Sequence, residues 1–173
     1  MMQVIEQIEN NTTSKVTFTC EDDDVLDNVH RLIAAIKKNT SLLTIEFLDE
    51  FLGCLRSDAR SELLGALTKL QSLQELRIEG GLVMIVDIAE IVCDIPGLKV
   101  LTLDNVVLQG IEKDFTAMEL SLHQHRSLKE FSIEKCHTAV QGISTSGLEL
   151  AGQKQPVGAL RTSSPNAPRA RTA

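Results

Sequence analysis

The chain has 173 residues, a formal charge of −7 at pH 7, and 43% hydrophobic but only 3% aromatic residues. That length holds one ordinary domain, or a domain with a tail, and the acidic balance argues against a general nucleic-acid binder, which is usually basic. With no Trp or Tyr, the predicted core is aliphatic, as in arrays that stack one small layer of Leu, Ile and Val repeatedly.

In chain order, residues 4–8 read as a short helix, and residues 13–18 as a weak strand with Val16 and Phe18 inward. Residues 25–36 place Val25, Leu26, Val29, Leu32, Ile33 and Ile36 on one helical stripe. Asp22, Asp23 and Asp24 stand where they can cap it, and Lys37 and Lys38 close its C-terminal end. A strand from Leu42 to Phe47 follows, then a helix over residues 59–70 with Leu63, Leu64 and Leu67 inward. The next strand runs from Leu73 to Ile78, and the Gly80-Gly81 pair reads as a tight exit from it. Residues 82–95 are predicted helical and are stopped by Pro96-Gly97. A strand from Leu98 to Leu103, a helix over residues 111–126 and a strand from Leu128 to Ile133 complete the pattern.

The strands share one spelling, LxxLxL. It starts at Leu42, Leu73, Leu98 and Leu128, so the period lies between 25 and 31 residues. Val16 and Phe18 supply a degenerate first copy 29 residues before Ile45 and Phe47. Each helix provides the crossover that a parallel strand pair requires. Helices need more lateral room than strands about 4.8 Å apart, so the stack is expected to curve with strands on the inside. The repeat resembles the ribonuclease-inhibitor-like class of leucine-rich repeats over roughly residues 1–138. That resemblance implies an α/β leucine-rich-repeat solenoid: a horseshoe arc with a parallel concave sheet of about five strands and convex helices. The class pattern continues with Asn or Cys at the ninth position, where this chain has Glu50, Gly81, Val106 and Cys136. Only Cys136 obeys. The apolar eleventh position is kept at Leu52, Val83 and Leu108 and lost at Thr138.

Strand alternation assigns the concave face. It carries Lys15, Thr17 and Thr19, then Thr44, Glu46 and Leu48, then Glu75, Arg77 and Glu79. Val100, Thr102 and Asp104 follow, and last Glu130, Ser132 and Glu134. Six carboxylates face two basic groups on a surface that five strands make about 20 Å wide. The partner-binding candidates are Glu46, Leu48, Glu75, Arg77, Glu79, Val100, Asp104, Glu130 and Glu134, and the expected partner is a basic protein. A solvated polar face kept soluble by its charge is the plain alternative. Regulation of an enzyme, as by the GTPase-activating proteins of this repeat class, and a truncated fragment of a longer array are further ones.

No catalytic motif, cofactor site or metal site is expected. His123, His125, Cys136 and His137 are close in sequence, but the first two do not share a helix face. The run Glu21-Asp22-Asp23-Asp24 lacks the Gly and closing Glu of a calcium loop. Cys20, Cys54, Cys93 and Cys136 form no CxxC pair and are expected as free thiols in a reducing compartment. No secretory signal or membrane span is read, which places the chain in the cytoplasm. Residues 1–140 are assigned to the repeat domain. Residues 141–173 read as a disordered basic tail, with Pro156, Pro165 and Pro168 and with Lys154, Arg161, Arg169 and Arg171. A second reading has that tail fold back on the acidic face as a weak internal mimic of a basic ligand. Otherwise nothing evident covers the outer edge of the last strand.

Overall fold

The computed structural model describes residues 2–140 and 153–156. Its elements are α1 (Met2–Glu9), β1 (Lys15–Phe18), α2 (Asp23–Asp27), α3 (Val29–Lys38), β2 (Thr44–Phe47), α4 (Phe51–Cys54), α5 (Ser57–Leu67), β3 (Glu75–Glu79), β4 (Leu82–Met84), α6 (Ile85–Asp94), β5 (Val100–Asp104), β6 (Val107–Gly110), α7 (Glu112–Gln124), β7 (Glu130–Glu134), β8 (His137–Val140) and β9 (Gln153–Pro156). The large sheet has the order β1-β2-β3-β5-β7-β9, and β4-β6-β8 form a second, three-stranded sheet.

β1, β2, β3, β5 and β7 run parallel with no slip between repeats. The fourth repeat positions align as Val16, Ile45, Leu76, Leu101 and Phe131, and the sixth as Phe18, Phe47, Ile78, Leu103 and Ile133. All are buried except Phe131 and Ile133, which the last repeat leaves half-buried. A one-residue slip would turn Ile45 and Phe47 to solvent and Glu46 into the core, so the apolar alternation fixes the register.

Side chains brace the repeats where the strands begin. Ser41 Oγ donates to Thr13 O at 2.8 Å, and Ser72 Oγ donates to Leu42 O at 2.8 Å. Asn39 Oδ1 accepts the N–H groups of Ser41 and Leu42, each at 2.8 Å, while its Nδ2 donates to Ile8 O at 2.6 Å. His125 stands three residues before Leu128 as Asn39 does before Leu42. Its Nδ1 accepts the Leu128 N–H at 2.9 Å and its Nε2 meets Ile95 O at 2.9 Å. An acceptor at Nδ1 makes Nε2 the protonated donor.

The strand exits are equally regular. Asp49, Gly80, Asn105 and Lys135, each seven residues after its repeat's first Leu, have φ of 51°, 74°, 53° and 52°. Gly80 cannot be replaced at that turn without collision, because a Cβ would strike Glu50 Cγ and lie 3.1 Å from Glu50 Cα. After the turns at Gly80, Asn105 and Lys135 the chain runs parallel to its neighbour again, with Leu82 aligned to Val107 and Val107 to His137, whereas Asp49 leads into α4. Residues 82–84, predicted helical, are therefore strand β4, and the helix starts at Ile85. Their apolar run fits either period, and pairing with β6 decides it.

Several other expectations change. The helix over residues 25–36 is two helices parted at Asn28, whose Nδ2 donates to Asp24 O at 2.7 Å. Asp22 does not cap α2; its carboxylate accepts the Thr19 N–H at 2.8 Å, a local bond that competes with capping. The core is not wholly aliphatic. Phe18, Phe47 and Phe51 stack with ring centroids 5.4 to 5.6 Å apart. Cys20 and Cys54 are joined in a disulfide with Cα atoms 6.2 Å apart, because stacking the first two repeats brings the exit of β1 beside the end of α4. Cys93 is exposed and Cys136 is buried, both free. Burial pushes the Cys136 thiol up, and Sγ donates to Leu103 O at 3.4 Å, so the one residue obeying the ladder rule makes a ladder bond. The expected tail lies outside the described residues except for Gln153–Pro156, which pair antiparallel with β7 and cover its outer edge. No helix among the described residues is long and apolar enough to cross a membrane.

Two glycines should respond oppositely to Ala. Gly80→Ala should lower stability by about 1–3 kcal/mol through strain at positive φ. Gly65, exposed in α5 with open space around its Cβ position, should gain roughly 0.5–1 kcal/mol. Urea unfolding midpoints check both. The disulfide closes a 34-residue separation. Its reduction, or Cys20→Ser with Cys54→Ser, should lower stability by roughly 2–4 kcal/mol. An unchanged midpoint with reductant would show that the bond does not constrain the unfolded chain.

Candidate functional site

The register sorts the open face of the large sheet into rungs running across the strands. The first rung is Lys15, Thr44, Glu75, Val100 and Glu130; the second is Thr17, Glu46, Arg77, Thr102 and Ser132. The third is Glu79, Asp104 and Glu134, three carboxylates on three adjacent strands. Neighbouring strands lie about 4.8 Å apart, so these like charges oppose one another directly, an arrangement that costs stability.

The face is polarised along the rungs. At the β1 end Glu46 is satisfied: Lys15 Nζ donates to Oε1 at 3.0 Å and Thr17 Oγ1 to Oε2 at 2.8 Å. Partial burial pushes its carboxyl up, but those two hydrogen bonds together with the positive charges of Lys15 and Arg77 outweigh it, and the net shift is downward. Glu75 accepts a long bond from Thr44 Oγ1, at 3.4 Å, and no other side-chain bond among the described residues. In the middle, Arg77 lies 2.8 Å from Glu79 and 3.7 Å from Asp104. At the β7 end, Glu134 Oε1 accepts from Ser132 Oγ at 3.2 Å, and Glu130 is exposed. Asp104 Oδ1 is buried with no hydrogen-bond partner among the described residues. A hollow of about 220 Å³ lies here, lined by Arg77, Thr102, Asp104, Glu130, Ser132 and Glu134. Among the described residues that line it, the acidic groups outnumber the one guanidinium, which is already engaged.

The structure thus brings Arg77, Asp104, Glu130 and Glu134 together and groups Glu79 with them through Arg77. It leaves Glu46 at the far end as a cross-strand brace. Leu48 and Val100 are half-buried; the Leu48 N–H donates to Phe18 O at 2.8 Å, so its backbone belongs to the ladder. Thr102 and Ser132 line the hollow without having been singled out as site residues, and alternation along their strands is the signal that could have found them. His123 Nε2 lies 3.9 Å from Glu119, and His125 is taken up by Ile95 and Leu128. Among the described residues, no group of three or more His, Cys, Asp or Glu is placed to hold a metal ion.

Parallel strands in strict register, helices as crossovers and a polar open face define a leucine-rich-repeat-like α/β fold. The chain is similar in fold to the structure of leiomodin-1 actin-binding site 2, with a TM-score of 0.61 at 14% identity, covering 76% of this chain and 78% of that one. It is also similar to the tropomodulin C-terminal domain from Caenorhabditis elegans, with a TM-score of 0.62 at 16% identity, covering 77% of this chain and 81% of that one. This corrects the resemblance to ribonuclease-inhibitor-like repeats: the likeness in fold is to tropomodulin and leiomodin domains. The empty Asn/Cys ladder at Glu50, Gly81 and Val106 agrees with the correction. No protein-family model and no curated protein matches the sequence.

Glu46→Gln should cost about 0.5–1 kcal/mol near neutral pH, because the brace is only partly exposed. A carboxyl whose folded pKa is lowered stabilises the fold above its ordinary value of 4.5 and loses that contribution as pH falls through the folded value. The difference between wild type and variant should therefore vanish in acid below that range. Denaturant titrations at several pH values check this.

Proposed function

We propose that this chain is a non-catalytic protein-binding module whose open face takes a basic protein surface. In this reading the repeats form a horseshoe arc over residues 1–140, the open face is its concave side, and residues 141–173 are a basic tail. The observation that carries the reading is the third rung, Glu79, Asp104 and Glu134, with a single shared guanidinium. Opposed carboxylates on rigid strands repel one another, and a cation on a partner relieves that repulsion on binding. Glu75 and Glu130 widen the acidic field, while Leu48 and Val100 add apolar contact. Glu46 contributes charge from a side chain already held by Lys15 and Thr17. The fold likeness adds one concrete protein to try, since the leiomodin-1 structure is of an actin-binding site.

The test immobilises the full chain, captures proteins at low and moderate salt, and measures the purified bound protein and actin by titration. Glu75→Lys with Glu79→Lys should weaken the interaction at least tenfold, about 1.4 kcal/mol or more. Added salt should weaken it in wild type. Unchanged affinity in the charge-reversed variant overturns the proposal.

A further inference from the structure

The outermost strand of the large sheet does not belong to the repeat. Among the described residues, every other strand pairing is parallel, whereas β9 runs antiparallel to β7, with Glu130 opposite Pro156, Phe131 opposite Gln155, Ser132 opposite Lys154 and Ile133 opposite Gln153. Its sequence, Gln-Lys-Gln-Pro, offers no apolar alternation to a core. Phe131 and Ile133 accordingly stay half-buried, although their counterparts in the four earlier strands are buried. β9 therefore satisfies the backbone edge of β7 without completing the hydrophobic layer.

The direction of each amide follows from the ladder. The Glu130 N–H donates to Lys99 O on the β5 side at 3.1 Å. Successive amides of a strand alternate sides, so the Phe131 and Ile133 N–H groups face the outer edge. Phe131–Gln155 and Ile133–Gln153 are then the hydrogen-bonded pairs, while the backbone nitrogens of 154 and 156 face away. That is why a proline, which lacks an N–H, is tolerated at 156. The edge asks its occupant for two backbone amides two residues apart. The residue between them stands opposite Ser132, flanked along β7 by Glu130 and Glu134 and beside the hollow that Asp104 lines. Lys is the residue the chain places there.

We infer that the outer edge of β7 is a strand-docking site for an extended segment of a partner protein with a basic residue opposite Ser132, and that Gln153–Pro156 hold this edge in cis when the partner is absent. The inference rests on the proposed acidic-face function and gives it an attachment mode, β-augmentation, in which main-chain bonds supply affinity and the central basic residue supplies selection. A four-residue strand with no Leu, Ile, Val or aromatic residue is a weak occupant. Its hydrogen bonds gain little beyond the entropy of ordering it. A trans strand bringing apolar residues against Phe131 and Ile133 as well would displace it.

The test uses the full chain and amide hydrogen exchange at Phe131 and Ile133. Gln153→Pro with Gln155→Pro removes both donating amides of the cis strand and leaves the repeat untouched. Protection at Phe131 and Ile133 should fall at least tenfold in this variant, with Leu76 and Leu101 unchanged. A synthetic peptide of residues 150–158 at millimolar concentration should restore protection, and the same peptide with Lys154→Glu should not. Equal protection in wild type and variant, failure of the first peptide to restore it, or equal restoration by both peptides overturns the inference. Its failure is distinguishable from failure of the acidic-face reading. Loss of partner binding on Glu75→Lys with Glu79→Lys, with no effect of the peptide, rejects strand docking and leaves that reading standing.

Discussion

Main-chain hydrogen bonds between equivalent strands close only if each repeat enters the sheet at the same height, and the rest of the chain is arranged around that register. The buried rows Val16 to Phe131 and Phe18 to Ile133 hold it from the core side. Ser41, Ser72, Asn39 and His125 hold it where strands begin. The left-handed turns at Asp49, Gly80, Asn105 and Lys135 hold it where strands end; the last three deliver the chain in register to the second sheet, and Asp49 leads into α4. That second sheet does with backbone what an Asn ladder would do with side chains. It explains how Gly81 and Val106 stand at a position where a ladder residue is expected; Glu50 instead leads into α4.

The same register creates the electrostatics of the open face. Side chains that alternate outward fall into rungs, and a rung is acidic only if several repeats place a carboxylate at the same position. Glu79, Asp104 and Glu134 do so, while at the other end Lys15 and Thr17 absorb Glu46. Charge on this face is therefore a property of aligned repeats and not of net composition. A rigid sheet cannot spread the three carboxylates apart; Arg77 is shared between Glu79 and Asp104, and in the proposed reading a cation on a partner relieves the repulsion that remains.

Strand positions, the parallel order and the outward face were legible because LxxLxL spells out both period and inside. Helix ends were less so. Asn28 divides α2 from α3, and Asp22 bonds Thr19 instead of capping, because short polar side chains choose among several local partners of similar energy. Residues 82–84 are apolar in a way that suits strand or helix, and only a neighbour at residues 107–109 resolves them. The Cys20–Cys54 bond was out of reach for the same reason: proximity across repeats depends on how loops of unequal length leave the strands. Of the site, its residues could be read from alternation, but their sorting into a satisfied end and an acidic end required the cross-strand partners.

The most direct measurement of the central claim is carboxyl footprinting of the full chain, free and bound to its captured partner, by carbodiimide labelling and mass spectrometry. If the open face is the binding surface, labelling of Glu75, Glu79 and Glu130 falls on binding, while Glu62 on α5 and Glu90 on α6 react as before. Protection of Glu62 and Glu90 with unchanged labelling of Glu75, Glu79 and Glu130 would place the partner on the helices and contradict the account.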